Sequence, residues 1–260
     1  MSRSLRIVQV AALGFPSDQG SQVYVRGMCR ALARRGHRVS LACYGHGQWE
    51  WDGEFELLRT PQLPGYRRLR AGPDLVKPWL DLLLAGVVGR QEADIFHAHN
   101  YEAPLAALIG RRRRPIPIIY SAHTLLEQEL PAYFRGRSLG ACARVLGLAL
   151  DRTIPRLADH AIALDPDTAR RLRSLGCPSV SVGVPGVDPS DLEWTEPACA
   201  DGPWVVYAGN PDPYQDLEVL VSAMTHVKGA GLLLVGASDF QGLGLERLSK
   251  VRVVREHEFR

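Results

Sequence analysis

Leu5-Arg-Ile-Val-Gln-Val-Ala-Ala-Leu13 leads into Gly14-Phe-Pro-Ser-Asp-Gln-Gly20-Ser21, and that passage decides the fold. The first part carries the β-branched apolar residues of a buried parallel strand, and the second is a turn-rich loop. Tyr24, Met28, Ala31 and Leu32 then recur at helical spacing. Arg34 and Arg35 suit the negative end of a helix dipole, and Gly36 suits a left-handed stop. Val39, Leu41 and Cys43 alternate as a second strand. A strand, loop, helix and strand in this order build doubly wound α/β sheets. The same pattern reopens at Trp204, so the chain reads as two Rossmann-like domains, the first with far more sequence behind it than the second.

Outward from that start, Phe55 to Leu58 predicts a third strand and Leu75 to Val88 a helix with Pro78 in its first turn. Asp94-Ile-Phe-His97-Ala-His99 and Ile116-Pro-Ile-Ile-Tyr-Ser-Ala-His123 predict two more strands around a helix at Ala103–Ile109. Both strands end in histidine, and the carboxyl ends of strands are where open α/β sheets place ligands. From Leu125 to Leu175 the pattern is helical apart from a short strand at His160–Leu164, and the run from Val180 to Asp188 closes the lobe. The stretch from Pro185 to Pro203 is rich in Pro, Asp, Glu and Gly and has no periodicity. The reading is a first domain at 1–188, a linker at 189–203 and a partial second domain at 204–260. In the latter, Trp204–Ala208, Gly231–Gly236 and Val251–Arg255 predict three parallel strands, connected by two helices, of which Leu217, Leu220, Val221 and Met224 mark one face. Such a piece leaves an open sheet edge. It is expected to lean on the first lobe, to pair with another chain, or to be a truncated domain.

Composition narrows the classes. The 260 residues are 46% hydrophobic and 23% charged, which is globular. Five cysteines form no CxxC and give neither a disulfide framework nor a zinc pattern, which fits a reducing cytoplasm. No signal peptide is legible, and no apolar run approaches the ~18 residues of a transmembrane helix. A net charge of +3 is too small to argue for nucleic acid.

Four groups of residues could carry chemistry. Gly20 and Ser21 stand where a helix amino terminus offers free N–H groups to phosphate or sugar oxygens, or else form a tight turn with Ser21 as cap. Gly14 and Gly20 are six apart with Pro16 between them, which is not the three-glycine fingerprint of nicotinamide binding. His97 and His99 share a strand face, so a metal pair is conceivable, but no third ligand stands at metal spacing and no metal is assigned. His123 ends a strand where a ring nitrogen can reach a sugar hydroxyl. Arg111, Arg112, Arg113 and Arg114 form either a solvated turn or a contact for an anionic membrane or lipid-linked acceptor. The helical stretch Leu139–Leu150, with Arg135, Arg137, Arg144 and Arg152, either adds to that surface or packs in the core.

The order of the first strand, the Gly20-Ser21 loop, Arg35-Gly-His-Arg-Val-Ser, Asp94-Ile-Phe-His-Ala-His, Ser121-Ala-His-Thr, Val184-Pro-Gly-Val-Asp and Val205-Val-Tyr-Ala-Gly-Asn resembles the family 4-like retaining glycosyltransferases of GT-B fold. The resemblance covers nearly the whole chain. It implies two Rossmann-like lobes, no cofactor or metal, and transfer of a hexose from a nucleotide-diphosphate sugar to a glycan or lipid-linked acceptor. It places Gly20 and Ser21 near the donor phosphate or the acceptor, His123 at the transferred sugar with His99 beside it, and Gly209, Asn210 and Gln215 at the donor diphosphate. The family commonly has an arginine and a lysine where this chain has Asn210 and Gln215. Replacing charged hydrogen bonds by neutral ones costs on the order of 1–4 kcal/mol of phosphate binding. The family's glutamate pair follows the strand equivalent to Val251–Arg255, and Glu256 and Glu258 do not stand at its spacing. The expectation is therefore weak or absent turnover by this chain alone. The alternative is a non-catalytic acceptor-binding or scaffolding lobe completed by a separate chain. A nucleotide-sugar epimerase shares the fold without support from particular residues, and a nicotinamide oxidoreductase lacks its fingerprint. The setting implied is cytoplasmic, extending to the inner membrane face if the arginines meet lipid.

Overall fold

The structure is a computed structural model and describes residues 3–17, 19–47, 50–51, 53–66, 69, 72–112, 114–189, 202–209, 211, 215–236 and 240–255. The chain divides into two compact units, Met1–Asp188 and Pro189–Arg260.

The first unit is built on a seven-stranded parallel sheet. Its strands are β1 (Arg6–Gly14), β2 (Arg38–Tyr44), β3 (Glu56–Arg59), β4 (Ile95–His99), β5 (Ile118–Ala122), β6 (His160–Ala163) and β7 (Val180–Val182), in the spatial order β3-β2-β1-β4-β5-β6-β7. Side chains alternate across a strand, so β1 feeds two separate cores. Val8, Val10 and Ala12 join the larger one, with residues of α2 (Lys77–Gly89), α3 (Ala103–Arg111) and α6 (Pro166–Ser174). Ala11 and Leu13 join the smaller one, with Val25 and Cys29 of α1 (Gly20–Arg34). Helix α1 therefore lies on one face and α2, α3 and α6 on the other. The strand order reverses between β1 and β4, whose registers place Gln9 beside His97 and Ala11 beside His99. That reversal is the crevice at which doubly wound sheets bind ligands.

The connection from β5 to β6 is helical, as expected from its pattern: α4 (Leu126–Glu129), a 3-10 turn at Leu130–Tyr133, α5 (Arg137–Thr153) and a second 3-10 turn at Ile154–Leu157. Helix α5 docks closely on α4, since a Cβ on Gly147 would stand 2.4 Å from the Leu126 carbonyl oxygen. One turn further along the same face, the Asp151 carboxylate accepts from the N–H groups of Leu126 at 3.0 Å and Glu127 at 2.9 Å. It acts as the cap that α4 does not find in its own Leu125. The helix read from Leu75 starts two residues later, at Lys77, because Asp74 accepts from the Val76 N–H and holds a turn before it.

The second unit contains a three-stranded parallel sheet, β10-β9-β8, formed by β8 (Trp204–Ala208), β9 (Gly231–Gly236) and β10 (Val251–Arg255). Helix α7 (Leu217–Met224) contributes Leu217, Val221 and Met224 to a core with Leu232, Leu234 and Phe240. Where a second helix was expected between β9 and β10, the described residues hold a 3-10 turn at Leu245–Arg247. Gly242 and Gly244, both at positive φ (82° and 72°), disfavour a helix there. Among the described residues, no helix is long and apolar enough to cross a membrane.

Candidate functional site

The carboxyl ends of β1, β4 and β5 meet the amino terminus of α1. That helix begins at Gly20 after Gln19, which makes no side-chain cap, and it has no acidic residue in its first turn. The first-turn N–H groups and the positive end of the helix dipole are thus available to an anion. Ser21 is inside the helix and does not cap it, contrary to the simpler of its two expected roles. A side chain on Gly20 would meet nothing within 4 Å, so the approach to these N–H groups is open.

One turn into α1, Tyr24 reaches down to the histidines. Its ring stands edge-on to His123 at 5.1 Å between centroids and to His99 at 6.0 Å, and its hydroxyl lies near Ser121. Ser121 is also 2.8 Å from His97 Nε2. His99 lies between Gln9 Oε1, 2.6 Å from its Nε2, and His123 Nε2, 3.2 Å from its Nδ1. A carbonyl oxygen only accepts, so with Gln9 in this orientation His99 carries its hydrogen on Nε2 and accepts at Nδ1 from His123. His123 is then left with Nδ1 as a hydrogen acceptor. Gln9 Nε2 is buried without a partner among the described residues. A buried unsatisfied donor costs about 1–3 kcal/mol, which the site bears while presenting Oε1 to His99.

The imidazoles are neutral at pH 7. Burial is the main cause in each case: it brings His97 and His123 down to about 4, and His99 well below its ordinary value, with the neighbouring histidines adding to the effect on His97 and His99. Neutral rings suit hydroxyl groups better than phosphates, so the charge of an anion at this edge falls to the α1 terminus. Both nitrogens of His99 are already engaged, which removes it from a metal pair with His97. Among the described residues no group of three or more His, Cys, Asp or Glu could hold a metal ion.

Residues 19–191 match the model of Glycosyltransferase Family 4. The chain belongs to that family. A D-inositol 3-phosphate glycosyltransferase of Mycolicibacterium paratuberculosis is 27% identical over 258 residues, covering 88% of this chain and 57% of the relative. The chain thus spans little more than half the length of such a family 4 relative. Among solved structures, sucrose-phosphate synthase from Thermosynechococcus elongatus aligns with a TM-score of 0.73 at 19% identity, covering 98% of this chain and 72% of that one. Anabaena HepE in complex with UDP and glucose aligns with a TM-score of 0.64 at 16% identity, covering 96% and 69%. At these identities the structures establish the fold, a GT-B-like pair of parallel-sheet units.

Against the family pattern, the expected residues of the first unit fall together. Gly20 and Ser21 are in the first turn of α1, and His99 and His123 are joined by a hydrogen bond at the sheet edge. In the second unit, Gly209 follows β8, and its carbonyl oxygen would stand 2.3 Å from a Cβ on Gly236, so the ends of β8 and β9 pack backbone to backbone. Gln215 is exposed, and Asn210 lies outside the described residues. The arginine run is divided in its uses. Arg114 donates to the carbonyls of Gln91, Gly110 and Arg111, and Arg111 pairs with Asp159 and donates to Ile116, while Arg112 is exposed. Arg113 lies outside the described residues. Two of the four guanidiniums therefore tie α3 to its surroundings.

Sequence reasoning missed Gln9, Tyr24 and Ser121. Gln9 carried one signal, a single amide inside an otherwise apolar strand. It also missed a second polar group on the opposite face of the sheet, where Lys77 Nζ lies 3.6 Å from Glu102 Oε1 and the Tyr44 hydroxyl donates to Asp81. Burial, opposed by Lys77, pushes the Glu102 carboxyl up to about 7.

Proposed function

We propose that this protein serves transfer of a hexose, with retention, from a nucleotide-diphosphate sugar to a glycan or lipid-linked acceptor. The observation that carries this reading is the pairing, at one sheet edge, of an uncapped helix terminus with a neutral histidine whose free nitrogen accepts a hydrogen. The first element suits a diphosphate, and the second suits a sugar hydroxyl. Gly20 and Ser21 would offer N–H groups to a donor phosphate or acceptor oxygen, and His123 would accept from a hydroxyl of the transferred sugar with His99 behind it. Gly209, Asn210 and Gln215 of the second unit are proposed as ligands of the diphosphate. Breaking the glycosidic bond to a diphosphate develops negative charge on the leaving group and an oxocarbenium-like sugar, so rate depends on how well that charge is met. Neutral Asn210 and Gln215 meet it weakly, which supports slow turnover. The same two residues favour a second reading, an acceptor-binding lobe whose donor site is completed by a separate chain. Both readings place the protein in the cytoplasm.

Titration calorimetry with UDP, ADP, GDP and UDP-glucose tests the proposal. Binding that weakens at least tenfold in both His123→Ala and Gly20→Trp supports it. Binding indifferent to both changes would refute this site. Failure of every nucleotide to bind, with the fold intact by circular dichroism, would leave only the acceptor-binding reading.

A further inference from the structure

On one face of the sheet, α2 and α3 turn an apolar surface to solvent. The two helices lie in close contact, since a Cβ on Gly110 would stand 2.9 Å from both the Ala85 carbonyl oxygen and Val88 Cγ1. Their outward faces therefore form one surface. Trp79 and Leu82 of α2, Leu105 and Ile109 of α3, and Leu75 just before α2 are each at least 41% exposed, Trp79 at 66%. At about 100° per residue, Trp79, Leu82 and Gly86 fall within about 60° of one another, and Leu105 and Ile109 within about 40°. The two charged residues within α2 are turned away from this surface. Lys77 Nζ is 3.6 Å from Glu102 and donates to the Gly72 carbonyl, and Asp81 accepts from Tyr44. Arg90, Arg111 and Arg112 stand at the far ends of the two helices.

We propose that this surface joins two copies of the chain, with α2 packed antiparallel on α2 about a two-fold axis beside Leu82 and Leu83. A two-fold interface sets residue i on residue j and j on i, so it needs a self-complementary face. Trp79 and Gly86 supply one. They are two turns, about 10.5 Å, apart on the same side of α2. A Cβ on Gly86 would meet nothing within 4 Å, so that position is open. With the axis midway between them, Trp79 of each copy lies over the gap at the partner's Gly86, and the Leu82 side chains meet at the centre. The exposed side chains make an apolar patch on the order of 500 Å², at the upper end of what a monomer leaves uncovered. With its rim it approaches the about 800 Å² per partner of a standard interface. A central tryptophan is the side chain that most often anchors such an interface. The patch has no charge to repel an identical copy or to steer a charged partner. Nor does it carry the row of Lys and Arg that holds an amphipathic helix on anionic lipid.

Sedimentation velocity of the full chain tests the proposal. Between about 1 and about 100 μM the parent should be a dimer that dissociates on dilution. Trp79→Ser should raise the dissociation constant at least about thirtyfold, and Gly86→Trp should do the same by filling the gap. Trp79→Ala/Gly86→Trp exchanges the bulky and open positions, so dimerisation should return to within about tenfold of the parent. Matching circular dichroism checks that these exposed changes leave the fold intact. The proposal is overturned if the parent sediments as a monomer throughout, if the dimer survives both single changes, or if the folded exchange variant stays monomeric. A monomeric parent that floats with lipid vesicles through Trp79 would also overturn it.

Discussion

Replacing His97 with glutamine should change how stability depends on pH by an amount that can be worked out. His97 falls from an ordinary 6.5 to about 4 on folding, chiefly through burial. Below pH 6.5 the unfolded chain takes up a proton that the folded chain refuses until about pH 4. The stability from this group is therefore complete above 6.5 and is lost as pH falls toward 4. Between pH 7.5 and pH 5 the loss is about 2 kcal/mol for one such histidine. His123, also brought to about 4, adds a loss of the same sign. Glu102 works in the other direction. Raised from 4.5 to about 7, it binds its proton more readily in the folded chain, so its contribution is complete below 4.5 and lost as pH rises through 7. The profile of the parent protein is thus a difference of opposed effects, and a comparison with His97→Gln isolates one of them. Glutamine retains a donor for Ser121 but cannot be protonated. In urea denaturation at pH 7.5 and pH 5, the parent should lose about 2 kcal/mol more than the variant. Equal losses would show that His97 is not held neutral by burial, and the description of the site as an uncharged hydroxyl reader would fail with it.

Three other outcomes are expected. Gln9→Leu should remove the acceptor that orients His99, so that long-range nitrogen–proton NMR of labelled histidine shows His123 as a single tautomer in the parent and a mixture in the variant. Asp151→Ala removes both acceptors for the first turn of α4 and should cost about 1–3 kcal/mol in urea unfolding; a change under about 0.5 would contradict the capping role. In a Cys199→Ser background, a thiol reagent at pH 8 should label the exposed Cys142 rapidly. It should leave Cys29, Cys43 and Cys177 unlabelled until denaturant is added, because these are buried and desolvation raises each thiol, Cys43 to about 12.

The strands of the sheet were legible because a central parallel strand is buried on both sides and is mostly apolar. Val8 and Val10 face one core while Ala11 and Leu13 face the other, and Gln9 is the one polar side chain between them. The histidines at strand ends were legible too, since His99 and His123 are out of place in such strands unless something uses them. What they bond to was not legible. Gln9 and His99 are 90 residues apart, and they meet because β1 pairs with β4 and not only with β2. Tyr24 was read as part of the helix stripe, which it is, but its position over His123 depends on how α1 crosses the sheet edge. The start of α2 was misplaced for a local reason, the Asp74 turn, which imitates a helix start two residues early. Arginine charge in the run from Arg111 gave no sign that Arg114 would be consumed by three backbone carbonyls.

The crossover between β1 and β4 has a consequence for the chain during synthesis. A ribosome releases Gln9 and the start of α1 early, yet the groups that complete the edge come from His97, His99, Ser121 and His123. A nascent chain shorter than about 125 residues, plus the stretch still inside the exit tunnel, therefore holds the α1 terminus without the complete histidine cluster. Acquisition of ligand affinity would then serve as a timer for closure of the sheet, and a chaperone guarding the early piece would be released by the same strand pairing that creates the site.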